Sequence, residues 1–208
     1  MNPILATLII TDFLALSGLG LISPILAIFI ERNVTGGSIA AAGIAQTIYM
    51  VVKSVLQLGV GRFNDRDRAY VREYWTSLLG YGVIAIVPFL YLTVETVPQL
   101  FLAQALLGVG AAFAYPGWIV IFTKFTDAQR EGREWTTYST VVFIGMAITG
   151  ALGGILVERY GFRPVFAGWG ILSTLGFVAF AKLGLNYAAL QRDHHPPRRH
   201  PRDVPPVK

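Results

Sequence analysis

The chain of 208 residues contains no cysteine. That excludes a disulfide framework and any thiolate metal site, and leaves the redox compartment unmarked. Histidine is almost as scarce: His194, His195 and His200 all lie near the C-terminal end. The long apolar segments therefore carry no imidazole for acid–base work or metal binding. Charge is short too, at 14% of residues, where a soluble domain carries about 25%. A soluble fold of this size could not cover its surface with so few charges. Paired carboxylates within the apolar segments and phosphate-cradling glycine loops are also missing. The acids of the polar connections sit in stretches too short to form a pocket. No enzyme, no cofactor and no resident metal is expected.

Apolar length is what the chain has in abundance, with 54% hydrophobic residues. Six runs stand out, at about Ile4–Ile30, Ile39–Val60, Trp75–Leu92, Pro98–Phe122, Thr136–Val157 and Val165–Leu185. Each is near the ~17–25 residues that cross a bilayer as a helix. A membrane β-barrel would instead alternate apolar and polar residues in segments of about ten. The expected fold is all-α and integral to the membrane, with six transmembrane helices. Residues 1–190 form the six-helix transmembrane domain. Residues 191–208, "RDHHPPRRHPRDVPPVK" after Gln191, read as a disordered, basic, Pro-rich cytoplasmic tail.

Lys and Arg set the orientation. Arg62, Arg66, Arg68, Arg72, Lys124, Arg130, Arg133 and the basic residues of the tail fall on one side, while Arg32, Arg159 and Arg163 fall on the other. The positive-inside rule then places both termini in the cytoplasm of a multi-pass inner or plasma membrane protein. This topology accounts for most of the net charge of +5, so nucleic acid is not an expected partner. The first run is read as a span rather than a cleaved leader, because it has no basic start, is too long and carries Asp12. Trp75, Trp135, Tyr187, Tyr91 and Tyr160 sit where interfacial anchors are expected.

Ionisable residues inside spans are costly and mark candidate sites. Asp12 and Lys53 each lie about eight residues from the cytoplasmic ends of spans one and two, roughly 12 Å deep at ~1.5 Å per residue. Three readings stay open: a protonatable coupling site at Asp12 with Lys53 as its switchable counter-ion, a permanent structural ion pair, or Lys53 snorkelling towards the cytosol. Tyr115 lies at a similar depth, and Gln104 is polar within the same span. Pro24, Pro88 and Pro116 are expected to kink their helices.

The connections carry a resemblance. Gly61-x3-Asp65-Arg66, between spans two and three, resembles the loop motif G-x3-D-R-x-G-R-R of the major facilitator superfamily, with Arg68 in place of its second glycine. Phe13, Gly18, Gly20 and Pro24 are similar to the family's first helix. Gly108 and Gly110 match R-x3-G-x-G, with Gln104 at the arginine. Gly145, Gly153 and Gly154 match the fifth-span glycine motif, with Thr149 and Gly150 replacing a glycine and its proline. "GFRPVF" resembles the junction before span six.

The resemblance covers about residues 4–185 and only the amino-terminal half of a typical twelve-span member, a 3+3 inverted repeat. It implies a half-size secondary transporter that moves a small solute by alternating access, as a homodimer or with a second six-helix chain, and with proton coupling through Asp12. It implies substrate contacts at Tyr115 and Gln104, and a gating loop in which Asp65 is a latch acceptor and Arg66 and Arg68 pair with acids such as Asp127, Glu131 or Glu134. A solvated topology anchor is the competing reading of that loop. Gly145, Gly153 and Gly154 are expected to pack helices. A non-transporting scaffold or accessory subunit, or one fragment of a split twelve-helix transporter, remains the alternative.

Overall fold

The computed structural model describes residues 2–65 and 71–184. Among these, seven α-helices form and no strand does: α1 (Pro3–Ile22), α2 (Leu26–Asn33), α3 (Ile39–Asn64), α4 (Val71–Leu90), α5 (Val97–Phe125), α6 (Glu131–Tyr160) and α7 (Phe162–Leu183). Six stretches are long and apolar enough to span a bilayer, α4 with the short 3-10 turn Tyr91–Thr93 counting as one. Arg66, Arg68, Tyr187 and the tail lie outside the described residues.

Several helices run a few residues past the apolar runs, and the first run differs in kind. The run Ile4–Ile30 is not a single helix, because α1 ends at Ile22 and α2 begins at Leu26. Pro24 stands in the break; its ring has no N–H to give and crowds the preceding turn. Pro88 and Pro116 lie inside α4 and α5, which continue through them. On the far side, the connections are tied together by the Thr35 N–H to Glu95 carbonyl bond of 2.8 Å. The Ser38 hydroxyl caps α3 by accepting from Ala41 N–H at 3.1 Å, and Gln99 Oε1 accepts from Thr96 N–H at 3.1 Å at the start of α5.

The helix contacts carry the inverted repeat. The packed pairs are α1 with α7, α4 with α5, α1 with α6, α3 with α5, and α4 with α7. Numbered as spans, these pairs are 1–6, 3–4, 1–5, 2–4 and 3–6. Exchanging span 1 with 4, 2 with 5 and 3 with 6 maps the set onto itself. Two three-span units are therefore interlocked, each lending its first span to the other.

In lipid, helices gain no hydrophobic drive from meeting one another, so close approach through small residues does the work. The α4–α5 contact rests on Gly80, where an added Cβ would run into the Ala114 backbone nitrogen. There the Ser77 hydroxyl donates to Ala114 carbonyl at 2.9 Å. Gly145 lies against Ser17 and Phe13, and Gly153 against the Leu21 carbonyl, at the α1–α6 crossing. Gly108 meets the Tyr49 carbonyl of α3, where a Cβ would stand 2.8 Å away. Gly154 differs: among the described residues nothing lies within 4 Å of its Cβ position.

Two spans are left bare. Only 11% of the apolar window of α3 and 17% of that of α6 is buried, against 39–56% in the other spans. Tyr91 also departs from its expected place at an interface. It is 2% exposed and stacks on Phe166 at 5.2 Å in the core. Trp75 and Tyr160 are exposed, as anchors require.

Gly80→Ala and Gly82→Ala separate packing from helix propensity on one helix. At Gly82 the nearest atom, Phe177 Cε2, stands 3.5 Å from the Cβ position, an ordinary contact. Gly80→Ala is expected to cost about 1–3 kcal/mol through overpacking, and Gly82→Ala to be neutral or stabilising. Thermal unfolding of the detergent-solubilised protein reads both; equal effects would refute the α4–α5 contact.

Candidate functional site

Asp12 faces inward from the middle of α1, which is pinned on either side by α6 and α7. The Tyr81 hydroxyl of α4 donates to Asp12 Oδ1. The Tyr138 hydroxyl of α6 donates to Asp12 Oδ2 at 2.8 Å. One carboxylate therefore joins three spans. Tyr81 is directed there by the Gly80 contact, which sets α4 tightly on α5. Tyr138 belongs to an aromatic cluster with Trp118, Phe122 and Trp135, with centroids 4.9 Å, 5.4 Å and 5.9 Å from its own. That cluster anchors the first turns of α6 to α5.

The expected pairing of Asp12 with Lys53 is not what the structure contains. No ion pair within 4.0 Å joins them. Lys53 Nζ instead lies 5.1 Å from the centre of the Tyr115 ring. The energetics explain why pairing is not required. A carboxylate at the centre of a spanning helix costs about 2.5–3.5 kcal/mol on insertion scales. Two hydrogen bonds to a charged acceptor, each worth about 1.5–3 kcal/mol, offset that cost.

Asp12, Lys53 and Tyr115 nevertheless share one cavity of about 260 Å³, lined also by Tyr49, Tyr81, Trp118, Tyr138 and Trp169 and by aliphatic side chains such as Leu16, Leu19, Ile84 and Leu107. Asp12, Lys53 and Tyr115 are thus brought together on one cavity wall. Gln104 does not join them. It is 2% exposed in the core, with its Oε1 unpartnered. Eleven residues along α5 put it roughly 16 Å from Tyr115. Sequence reasoning missed Tyr49, Tyr81, Tyr138, Trp118 and Trp169. Tyrosines in the middle of spans were the available signal, since a phenol buried in an apolar setting usually finds a partner.

The connections give a mixed result. Asp65 caps the end of α3, its N–H donating to the Gly61 carbonyl at 3.0 Å, and its side chain is exposed. Gly61 is open to its surroundings. Arg72 donates to the Phe63 carbonyl at 3.2 Å and lies over the Phe63 ring, placing a cation at the negative end of α3. Two of the acids expected as latch partners are engaged within their own connection. Asp127 pairs with Arg130 at 3.8 Å, and Glu134 accepts from the Asp127 N–H at 3.0 Å. Among the described residues, no group of His, Cys, Asp and Glu is placed to hold a metal ion.

Comparison with known proteins agrees with this architecture. The chain is 25% identical over 177 residues to an uncharacterized MFS-type transporter of Methanocaldococcus jannaschii, covering 84% of this chain and 44% of that protein. It is 26% identical to multidrug resistance protein 1 of Bacillus subtilis, over 79% of this chain and 41% of the relative. The chain thus spans less than half of these two relatives. The uncharacterized MFS-type transporter YitZ of Bacillus subtilis is 27% identical, with 79% of this chain matched to 96% of YitZ. Among solved structures, the POT family transporter PepTSo shares the fold, with a TM-score of 0.71 at 15% identity over 90% of this chain and 38% of that one. The family model of the Major Facilitator Superfamily matches residues 8–206, and the chain belongs to that superfamily.

Proposed function

We propose that this chain is one six-helix half of a secondary transporter that moves a small organic solute across the cell membrane by alternating access. The observation that carries the reading is the polar and aromatic cavity around Asp12, lined from α1, α3, α4, α5, α6 and α7, two of which, α3 and α6, are the spans left bare. A lone half leaves such a cavity without an opposite wall. In this reading a second six-helix body, a parallel second copy of this chain, closes it with its own α3 and α6. Both termini face the cytoplasm, following the Lys and Arg asymmetry. A relative named for multidrug resistance supports a small organic solute as cargo. A match to nearly the whole of YitZ supports a half-length body as a form the family takes.

Within this reading Asp12 is the protonatable coupling group. Around it stand Tyr81 from α4, Tyr138 from α6, Tyr49 and Lys53 from α3 and Tyr115 from α5. The ionised carboxylate accepts from both phenols. A protonated one has fewer lone pairs to offer and a proton to donate, so the three-span junction must rearrange. Asp65 at the exposed end of α3 serves as latch acceptor, and Gly145 and Gly153 hold the α1–α6 crossing inside this half, so that it moves as one body against the other. The departure at Gln104 from the family arginine favours a second reading, a scaffold that kept the fold. A scaffold predicts no flux of any solute.

Proteoliposomes with an imposed proton gradient and a panel of small solutes test the transport. At least one solute should accumulate against its gradient, and Asp12→Asn should abolish that accumulation. An unchanged pH dependence in Asp12→Asn would remove Asp12 from coupling. Tyr138→Phe removes one of the two donors to Asp12, and is expected to shift the pH midpoint of transport without abolishing it; an unmoved midpoint would make Tyr138 a packing residue.

The homodimer has its own test, simplified by the absence of cysteine. Met50→Cys or Val55→Cys on α3, combined with Val141→Cys or Ile144→Cys on α6, should give an oxidised dimer in native membranes. Leu79→Cys with Leu102→Cys, on exposed positions of α4 and α5, should not. Monomer in every combination would refute the homodimer.

A further inference from the structure

We infer that the Asp12–Lys53 cavity takes a small zwitterion with an apolar body, its ammonium on Asp12 and its carboxylate on Lys53. The inference rests on the transport reading for the cavity's purpose, but not for its chemistry. One acid and one base line the same space without an ion pair between them. Asp12 has used two of its roughly four acceptor sites on Tyr81 and Tyr138. The remaining sites can take an ammonium, while the phenols hold the carboxylate in place without a counter-charge of its own. Lys53 is half-buried, makes no hydrogen bond among the described residues, and is settled only on the face of Tyr115. Its three N–H donors suit a carboxylate.

Charge balance separates this class from its neighbours. A monocation drawn to Asp12 would share the cavity with the Lys53 ammonium, and a monoanion drawn to Lys53 would share it with the Asp12 carboxylate. In a low-dielectric space each like-charge contact is penalised. A solute carrying both charges leaves neither unpaired. The part of the cavity this half encloses, about 260 Å³, has room for a single amino acid, at ~30 Å³ per water-sized group. The remaining wall is apolar and aromatic, with Tyr49, Trp118, Trp169 and Leu107 to receive a hydrocarbon body.

Three probes with one phenyl body test this on the full chain in lipid nanodiscs at neutral pH: L-phenylalanine, 2-phenylethylamine and 3-phenylpropanoate, each radiolabelled for equilibrium binding. Phenylalanine should bind saturably and at least ten-fold more tightly than either singly charged probe. Lys53→Gln should erase its advantage over phenylethylamine, and Lys53→Arg should keep it. Asp12→Asn should erase its advantage over phenylpropanoate; because that variant disturbs a three-span junction, the Lys53 pair stands as an independent arm, at a position that makes no buried bond. Tightest binding of phenylethylamine would make this a cation site, and tightest binding of phenylpropanoate an anion site. Either result, or no saturable binding of phenylalanine, overturns the proposal. Transport of some solute without a preference for phenylalanine sinks this inference alone. Preferred binding of phenylalanine with no flux of any solute sinks the transport reading and leaves this one standing.

Discussion

A carboxylate in the middle of a spanning helix has to be satisfied by its neighbours, and the arrangement of this protein follows from how that is done. Tyr81 and Tyr138 bring α4 and α6 to Asp12 on α1. The α6 helix otherwise meets the bundle mainly along α1, at Gly145 and Gly153, and at its first turns through the cluster of Trp135 with Phe122 and Trp118. Placing the carboxylate on α1 therefore ties it to one of the two least-buried spans. The same bonds leave Lys53 free of the acid and available to the cavity.

The interlocked repeat explains where the open side falls. Each three-span unit lends its first span to the other, so spans 1 and 4 become central and spans 3 and 6 pack together behind them. Spans 2 and 5, α3 and α6, are each held along one edge only. Their outer faces are apolar and carry glycines with nothing near them, Gly43 and Gly59 on α3 and Gly154 on α6. Small residues in lipid-facing positions are of little use to a lone helix, whereas they allow close approach of another. The bare faces and the one-sided cavity are thus consequences of a single topology.

Much of the fold was legible because its signals are local. Apolar length gives the span number, and loop residues such as Gly61 and Asp65 or the glycines of α5 and α6 give the family. The boundary that shifted, at Pro24, shifted for a local reason that the proline itself announces. Glycine packing was legible in type but not in direction: Gly153 and its neighbour Gly154 read alike, yet only Gly153 meets another helix. The site was half legible. Equal depth put Asp12, Lys53 and Tyr115 together, but Gln104 shares a helix with Tyr115 without sharing its surroundings, and the tyrosine donors to Asp12 went unseen.

What the sequence alone determined is the class of molecule: a six-span bundle of major facilitator type, with charge rationed to its connections and two ionisable side chains at depth. Hydropathy and short motifs suffice for that, because each helix must satisfy its own backbone in lipid whatever its neighbours are. Only the tertiary structure decided which groups answer those two charges. Tyr81 and Tyr138 are 69 and 126 residues from Asp12. In a membrane helix nearly every face is apolar, so periodicity does not say which side turns inward. That choice is made by which small residues let two helices close, and it is the closure of α4 on α5 and of α6 on α1 that delivers the phenols to the acid and leaves the lysine facing open space.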